Sequence, residues 1–180
     1  PAALEDAVKA WDYLMLCGYG ARDIVVAGDS AGGNMALALV HKLKEEKRML
    51  PKGLVLFSPW TDMTCGGESF LGRRSYDPVL TPEYLHQIRA DYVKDENYAN
   101  PYVSPLYGEF SNFPPTFVQV GENEILYSDA KRLKEEMEKQ GVAVQFEEYD
   151  KMWHVFQMSP IKKAQEAIEK CAEFICEICR

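Results

Sequence analysis

The chain is short of basic residues: 20 lysines and arginines stand against 28 aspartates and glutamates, a formal charge of −8 and a pI near 5.0. Without a basic surplus there is no field to attract a phosphate backbone or an anionic lipid surface, so neither nucleic acid nor membrane is expected as a partner. Long hydrophobic runs are missing as well. Ile24 to Ala27 and Gly53 to Phe57 are strand-sized, far from the ~18 apolar residues that a membrane span needs. Cysteine is sparse and odd in number, at Cys17, Cys65, Cys171, Cys176 and Cys179. A chain of 180 residues does not need disulfide staples, so reduced thiols and a cytoplasmic setting are expected. The last three cysteines have the C-x4-C-x2-C spacing of a ferredoxin loop, which requires a fourth cysteine downstream. Here Cys171 instead shares one helical stripe with Ile161, Ala164, Ile168, Ile175 and Ile178 and reads as a small core residue. A leading methionine is also absent. The chain begins with Pro1, so a processed or partial chain is expected.

What is present, 47% hydrophobic and 27% charged residues, describes one globular domain over residues 1–180, long enough to bury roughly 70% of its unfolded surface. Apolar spacing alternates between helical and strand-like segments in the order α, β, α, β, irregular insert, β, α, β, α. Leu4, Ala7, Val8, Trp11, Leu14 and Met15 make a helical face over 3–16, ended by Gly18 and Gly20. Asp23 to Gly28, Gly53 to Ser58 and Thr116 to Gly121 are continuous apolar runs, and Ala143 to Tyr149 alternates less cleanly, as an outer strand does. This predicts an α/β fold with a mainly parallel open sheet flanked by helices. The stretch 59–115 carries seven prolines, too many for one helix or a central strand. Within it Thr81 caps a helix with Pro82 in its first turn and Tyr84, Leu85, Ile88 and Tyr92 on its apolar face. An insert placed between strands of an open sheet is expected to form a pocket wall.

The most informative residues are Gly28-Asp29-Ser30-Ala31-Gly32-Gly33, a G-x-S-x-G directly after an apolar strand and directly before a helix. A serine on so sharp a turn has crowded neighbours two residues to either side, so Gly28 and Gly32 are expected to remove clashing Cβ atoms. Ser30 then projects above the sheet, and the N–H of Ala31 points from the helix N-terminus toward developing negative charge.

A serine hydroxyl needs a base and an acid that orients it. Of the three histidines, His41 reads as a solvated helical residue, and His86 as one that faces solvent or packs locally. His154 follows the last strand, where an open sheet presents site residues, and is the candidate base. The loop after Thr116 to Gly121 offers Glu122, Glu124 and Asp129 as the acid. Ser128 reads as an N-cap with Asp129 serving the first helical turn, which leaves Glu122 and Glu124. The order serine, acid, histidine is that of α/β-hydrolases.

The chain resembles the C-terminal portion of the hormone-sensitive-lipase-like branch of the α/β-hydrolases, which holds carboxylesterases and acetyl esterases. The resemblance rests on Pro1-Ala2-Ala3-Leu4-Glu5-Asp6-Ala7, Gly28-Asp29-Ser30-Ala31-Gly32-Gly33-Asn34, Ser58-Pro59-Trp60-Thr61-Asp62, Ser104-Pro105-Leu106, Pro114-Pro115-Thr116 through Gly121, and Trp153-His154-Val155-Phe156. It implies Ser30 as nucleophile, His154 as general base and Glu124 as acid, in a position where aspartate is more usual. It implies a small-molecule ester as substrate, short-chain acyl or acetyl, with no cofactor and no metal. Peptidase or amidase activity and a binding protein of the same fold are the competing expectations. Family members carry an upstream His-Gly-Gly-Gly that supplies most of the oxyanion hole, and this sequence has none. Each lost oxyanion donor costs about 10²–10³ in kcat, so with Ala31 as the surviving donor a catalytically impaired chain is expected. The resemblance also makes the Asp23 to Gly28 strand internal, which implies a longer enzyme or a partner, another copy included, against its bare edge.

Overall fold

The computed structural model describes residues 2–94 and 97–180; Pro1, which opens the first of the matching motifs, lies outside them. Four strands form one parallel sheet in the order β1-β2-β3-β4: β1 (Val25–Asp29), β2 (Gly53–Phe57), β3 (Thr116–Gly121) and β4 (Val144–Tyr149). Each strand follows its predecessor to the same side, so every connection is a crossover long enough to carry a helix or the insert. The helices are α1 (Ala2–Leu16), α2 (Ala31–Glu45), α3 (Glu68–Gly72), α4 (Pro82–Tyr92), α5 (Tyr127–Lys139) and α6 (Lys162–Ile178).

Strand side chains alternate between the faces, and the two faces are covered by different helices. Leu54, Leu56, Val118 and Val120 pack with Ala36, Leu37 and Val40 of α2 and with Ala130, Leu133 and Met137 of α5. Val55 and Phe117 point the other way, against Cys171 and Phe174 of α6, with the Phe117 and Phe174 rings stacked at 5.3 Å. β2 and β3 are therefore buried on both faces, which is why they read as largely apolar runs, with Thr116 and Gln119 the polar residues of β3. The α6 stripe is narrower than the sequence spacing implies. Ala164, Ala167, Cys171 and Phe174 are buried, Ile168 is exposed, and Cys176 and Cys179 face solvent.

β1 and β4 are the edges. β4 is the outer strand that its loose alternation predicts. β1 starts two residues later than its apolar run, because Ala21–Asp23 forms a 3-10 turn. Its outer side opens on a groove of about 340 Å³ lined by Ala7, Trp11, Leu14, Val25, Ala27 and Leu39.

In 59–115, the α4 cap forms as expected: Thr81 Oγ1 accepts the Tyr84 N–H at 3.2 Å, with Pro82 at the first position. Leu85 is buried against Trp60, Phe70 and Ile125, whereas Tyr84 and Leu71 are exposed. The segment is anchored from within. Asn34 of α2 donates both Nδ2 protons, to Trp60 O and Val103 O, each at 2.8 Å. Trp60 fills core at 1% exposure, whereas Tyr107 is exposed and Tyr102 only partly covered.

Candidate active site

The site lies at the carboxyl ends of β1, β2, β3 and β4, where their following loops converge. Ser30 occupies the step between β1 and α2 with φ 52° and ψ −117°, a region that non-glycine residues enter at a cost of about 1–3 kcal/mol. Neighbouring bonds hold it there. The Ser30 N–H donates to Phe57 O at 2.9 Å, and Ser30 O accepts from Asn34 N at 3.2 Å and Trp60 N at 3.1 Å. A Cβ on Gly28 would come within 2.2 Å of Gly32 O, so the turn requires glycine at 28. Gly32 differs from expectation. Its added Cβ would meet nothing nearer than Asp29 Oδ1 at 3.9 Å, and the second crowded glycine is Gly33, whose Cβ would fall 2.8 Å from Pro59 Cβ. Ala31 begins α2, so its N–H belongs to the first-turn amides that have no carbonyl partner within the helix.

His154 lies in the loop after β4 and is 7% exposed. Its Nε2 is 2.9 Å from Ser30 Oγ, and its Nδ1 is 3.0 Å from Glu124 Oε2. Glu124 is fully buried (0%). Its other oxygen, Oε1, accepts the Gly121 N–H at 2.5 Å and the Ser58 hydroxyl at 2.7 Å. The loops after β3 and β4 meet closely: Asn123 N donates to Met152 O at 2.9 Å, and a Cβ on Gly121 would sit 2.4 Å from that carbonyl. Glycine at 121 is therefore what allows the Glu124 loop to lie beside the His154 loop.

The other carboxylates named from sequence are elsewhere. Glu122 is exposed at the end of β3. Asp129 is buried in the first turn of α5, as expected, but it does more than face a helix dipole. Its Oδ2 accepts Thr61 N at 3.1 Å and Asp62 N at 2.9 Å, while Oδ1 takes Arg132 Nη2 at 3.0 Å. Burial, aided by the charge of Asp62 and opposed by Arg132 and the two amides, pushes its carboxyl up to about 7. Asp62 is held below the usual carboxylate range: burial works against its ionisation, and bonds from Thr64 and Arg132 outweigh that. Asp62 and Asn34 are thus scaffold residues, Asp62 holding Thr64 and Arg132 and Asn34 holding the Trp60 and Val103 carbonyls. Ser128 is not the N-cap. α5 starts two residues earlier than that cap would give, after Leu126, and Ser128 pairs with Ser69 Oγ at 2.7 Å.

His41 is a correction. It is buried at 8% exposure, with Nε2 3.1 Å from Pro105 O and its ring against Phe110 and Phe113 at 5.0 and 4.7 Å. Desolvation lowers its pKa to about 4, against the Pro105 bond. The lysine-rich stretch after it suggested solvent, but the 105–113 segment folds over the helix at this point. His86 is exposed and packs edge-on against Phe70 at 5.3 Å.

The sequence profile of the alpha/beta hydrolase fold family matches residues 1–158. The chain belongs to this family. Among α/β-hydrolases it is 38% identical over 177 residues to an esterase of Acinetobacter venetianus, covering 97% of this chain and 58% of that protein. It is 34% identical over 177 residues to an acetyl-hydrolase of Streptomyces hygroscopicus, covering 97% of this chain and 59% of that one. A crystal structure of an esterase from the bacterial hormone-sensitive lipase family superposes on the whole chain with a TM-score of 0.96 at 36% identity, over 61% of its own length. The chain thus spans roughly three fifths of the length of these α/β-hydrolases. No described helix is long and apolar enough to cross a membrane.

Proposed function

We propose that the chain carries the nucleophile, base and acid of a serine carboxylester hydrolase acting on small esters, acetyl or other short-chain acyl esters, through an acyl-enzyme. The observation that supports this reading is the continuous line of hydrogen bonds from Ser30 Oγ through both nitrogens of His154 to Glu124 Oε2. A carboxylate only accepts, so Nδ1 carries the proton toward Glu124 and Nε2 is left with the lone pair that faces Ser30. As Ser30 Oγ bonds the ester carbonyl carbon, Nε2 takes the hydroxyl proton and Glu124 stabilises the imidazolium. The carbonyl oxygen gains the electron pair and is met by the N–H of Ala31. His154 then protonates the leaving alcohol, and water repeats the sequence to release the carboxylic acid. Residues 59–115, inserted between β2 and β3 on the side where the site lies, form one wall of the substrate pocket in this reading.

The ester class is supported by the relatives named esterase and acetyl-hydrolase, and the acetyl preference by the second. A fluorophosphonate probe tests the reading directly, because it reports the single covalent step at the serine hydroxyl. Labelling of the full chain at Ser30, lost in Ser30→Ala and reduced by about 10³ or more in His154→Ala, is the expected result. A folded chain that is not labelled refutes it.

A further inference from the structure

The residue after β2 has no role in the chemistry just described, yet its side chain touches two of the segments that carry it. Ser58 is fully buried (0%) and has φ 48°, a left-handed conformation that glycine adopts with less strain. Its N–H is used by the sheet, donating to Gln119 O at 2.8 Å. Its hydroxyl donates to Glu124 Oε1 at 2.7 Å and accepts the Val155 N–H at 3.1 Å. These directions are obligatory, since an amide N–H only donates and a carboxylate only accepts. Val155 directly follows His154 and is itself left-handed, φ 49°, a strained backbone for a β-branched residue.

One hydroxyl from a third segment of chain thus grips both the carboxylate facing His154 and the backbone beside His154. The carboxylate needs such a grip, because the terminal torsion of glutamate is broad and does not hold an orientation by itself. With Gly121 N and Ser58 Oγ both on Oε1, rotation is stopped and Oε2 is left facing Nδ1.

We propose that Ser58 is a positioning residue for the Glu124–His154 pair, its hydroxyl setting the carboxylate rotation and the placement of the His154 loop together. Its catalytic consequence rests on the hydrolase reading above. Serine stands where the backbone favours glycine, and the hydroxyl is what serine adds there.

Ser58→Gly removes the hydroxyl at a backbone conformation that glycine tolerates, and Ser58→Thr keeps the hydroxyl. Both are compared with the unaltered full chain by two readouts. The first is the low-field proton resonance of His154 Nδ1–H, assigned by its disappearance in His154→Ala. The second is the rate of fluorophosphonate labelling at Ser30. The low-field resonance is expected to move or vanish in folded Ser58→Gly, and labelling to slow on the order of tenfold to a hundredfold, with Ser58→Thr recovering part of both. Should Ser58→Gly fail to fold, Ser58→Ala carries the same expectations. Unchanged resonance and rate in a folded hydroxyl-less variant, or equal losses in Ser58→Thr and Ser58→Gly, overturn the proposal. An unlabelled parent chain whose resonance still responds to Ser58→Gly refutes the hydrolase reading and upholds the positioning role.

Discussion

Replacing Asp129 with asparagine is expected to remove a pH dependence of stability that the parent chain carries between the unfolded aspartate value and neutrality. The carboxyl is pushed up from 3.8 to about 7 by burial, with Asp62 adding to the effect and Arg132 opposing it. A raised carboxyl binds its proton more tightly in the folded chain, so the stabilisation is full below pH ~3.8 and is lost as pH rises through about 7. In that window the slope approaches 1.36 kcal/mol per pH unit. Allowing for rounding near the upper end, the folded state loses about 2 kcal/mol between pH 5 and pH 7. His41 opposes this. Its pKa is depressed by burial from 6.5 to about 4, so its contribution is present above 6.5 and lost as pH falls through 4. The parent profile is the sum of the two, and only the difference between parent and variant isolates Asp129. Asparagine suits that comparison, because its Oδ1 can accept both Thr61 N and Asp62 N, which bind the same carboxylate oxygen, Oδ2. Urea unfolding midpoints at half-unit steps from pH 4.5 to 8 give the curves, with the slope m checked for constancy. Convergence of about 2 kcal/mol in favour of the variant as pH rises from 5 to 7 is the expected result. Parallel curves refute the reasoning, and would mean that Arg132 and the two amides keep Asp129 ionised throughout.

Two further perturbations test other parts of the structure. Gly28→Ala places a Cβ 2.2 Å from a backbone carbonyl and is expected to cost about 3 kcal/mol or more, whereas Gly32→Ala, with 3.9 Å of room inside α2, is expected to be neutral or to gain up to ~1 kcal/mol; urea unfolding of the pair checks both. His41→Gln is expected to flatten the loss of stability below pH 6.5, visible as a smaller fall in melting temperature between pH 6.5 and 4.5 than in the parent chain.

The sequence by itself determined the sheet and much of the site. β2 and β3 are buried on both faces because helices cover them, so their parallel pairing was readable from the largely apolar Gly53–Phe57 and Thr116–Gly121. Gly28 and Ser30 carried a local requirement, a turn too tight for a Cβ, and local requirements survive in sequence. What the sequence left open was set by contacts between distant residues. Glu122 and Glu124 differ by two positions in one loop, and only the fold turns one outward and buries the other 3.0 Å from His154. His41 lies in a lysine-bearing stretch of helix that points to solvent, yet the 105–113 segment covers it. The same holds for Ser58, whose hydroxyl partners lie 66 and 97 residues away, and for Asp129, whose amide donors lie 67 and 68 residues away. A hydroxyl or carboxylate carries no periodicity that marks such a partner. Its role follows from which donors and acceptors the packed loops leave within about 3 Å, and tertiary structure alone decides that.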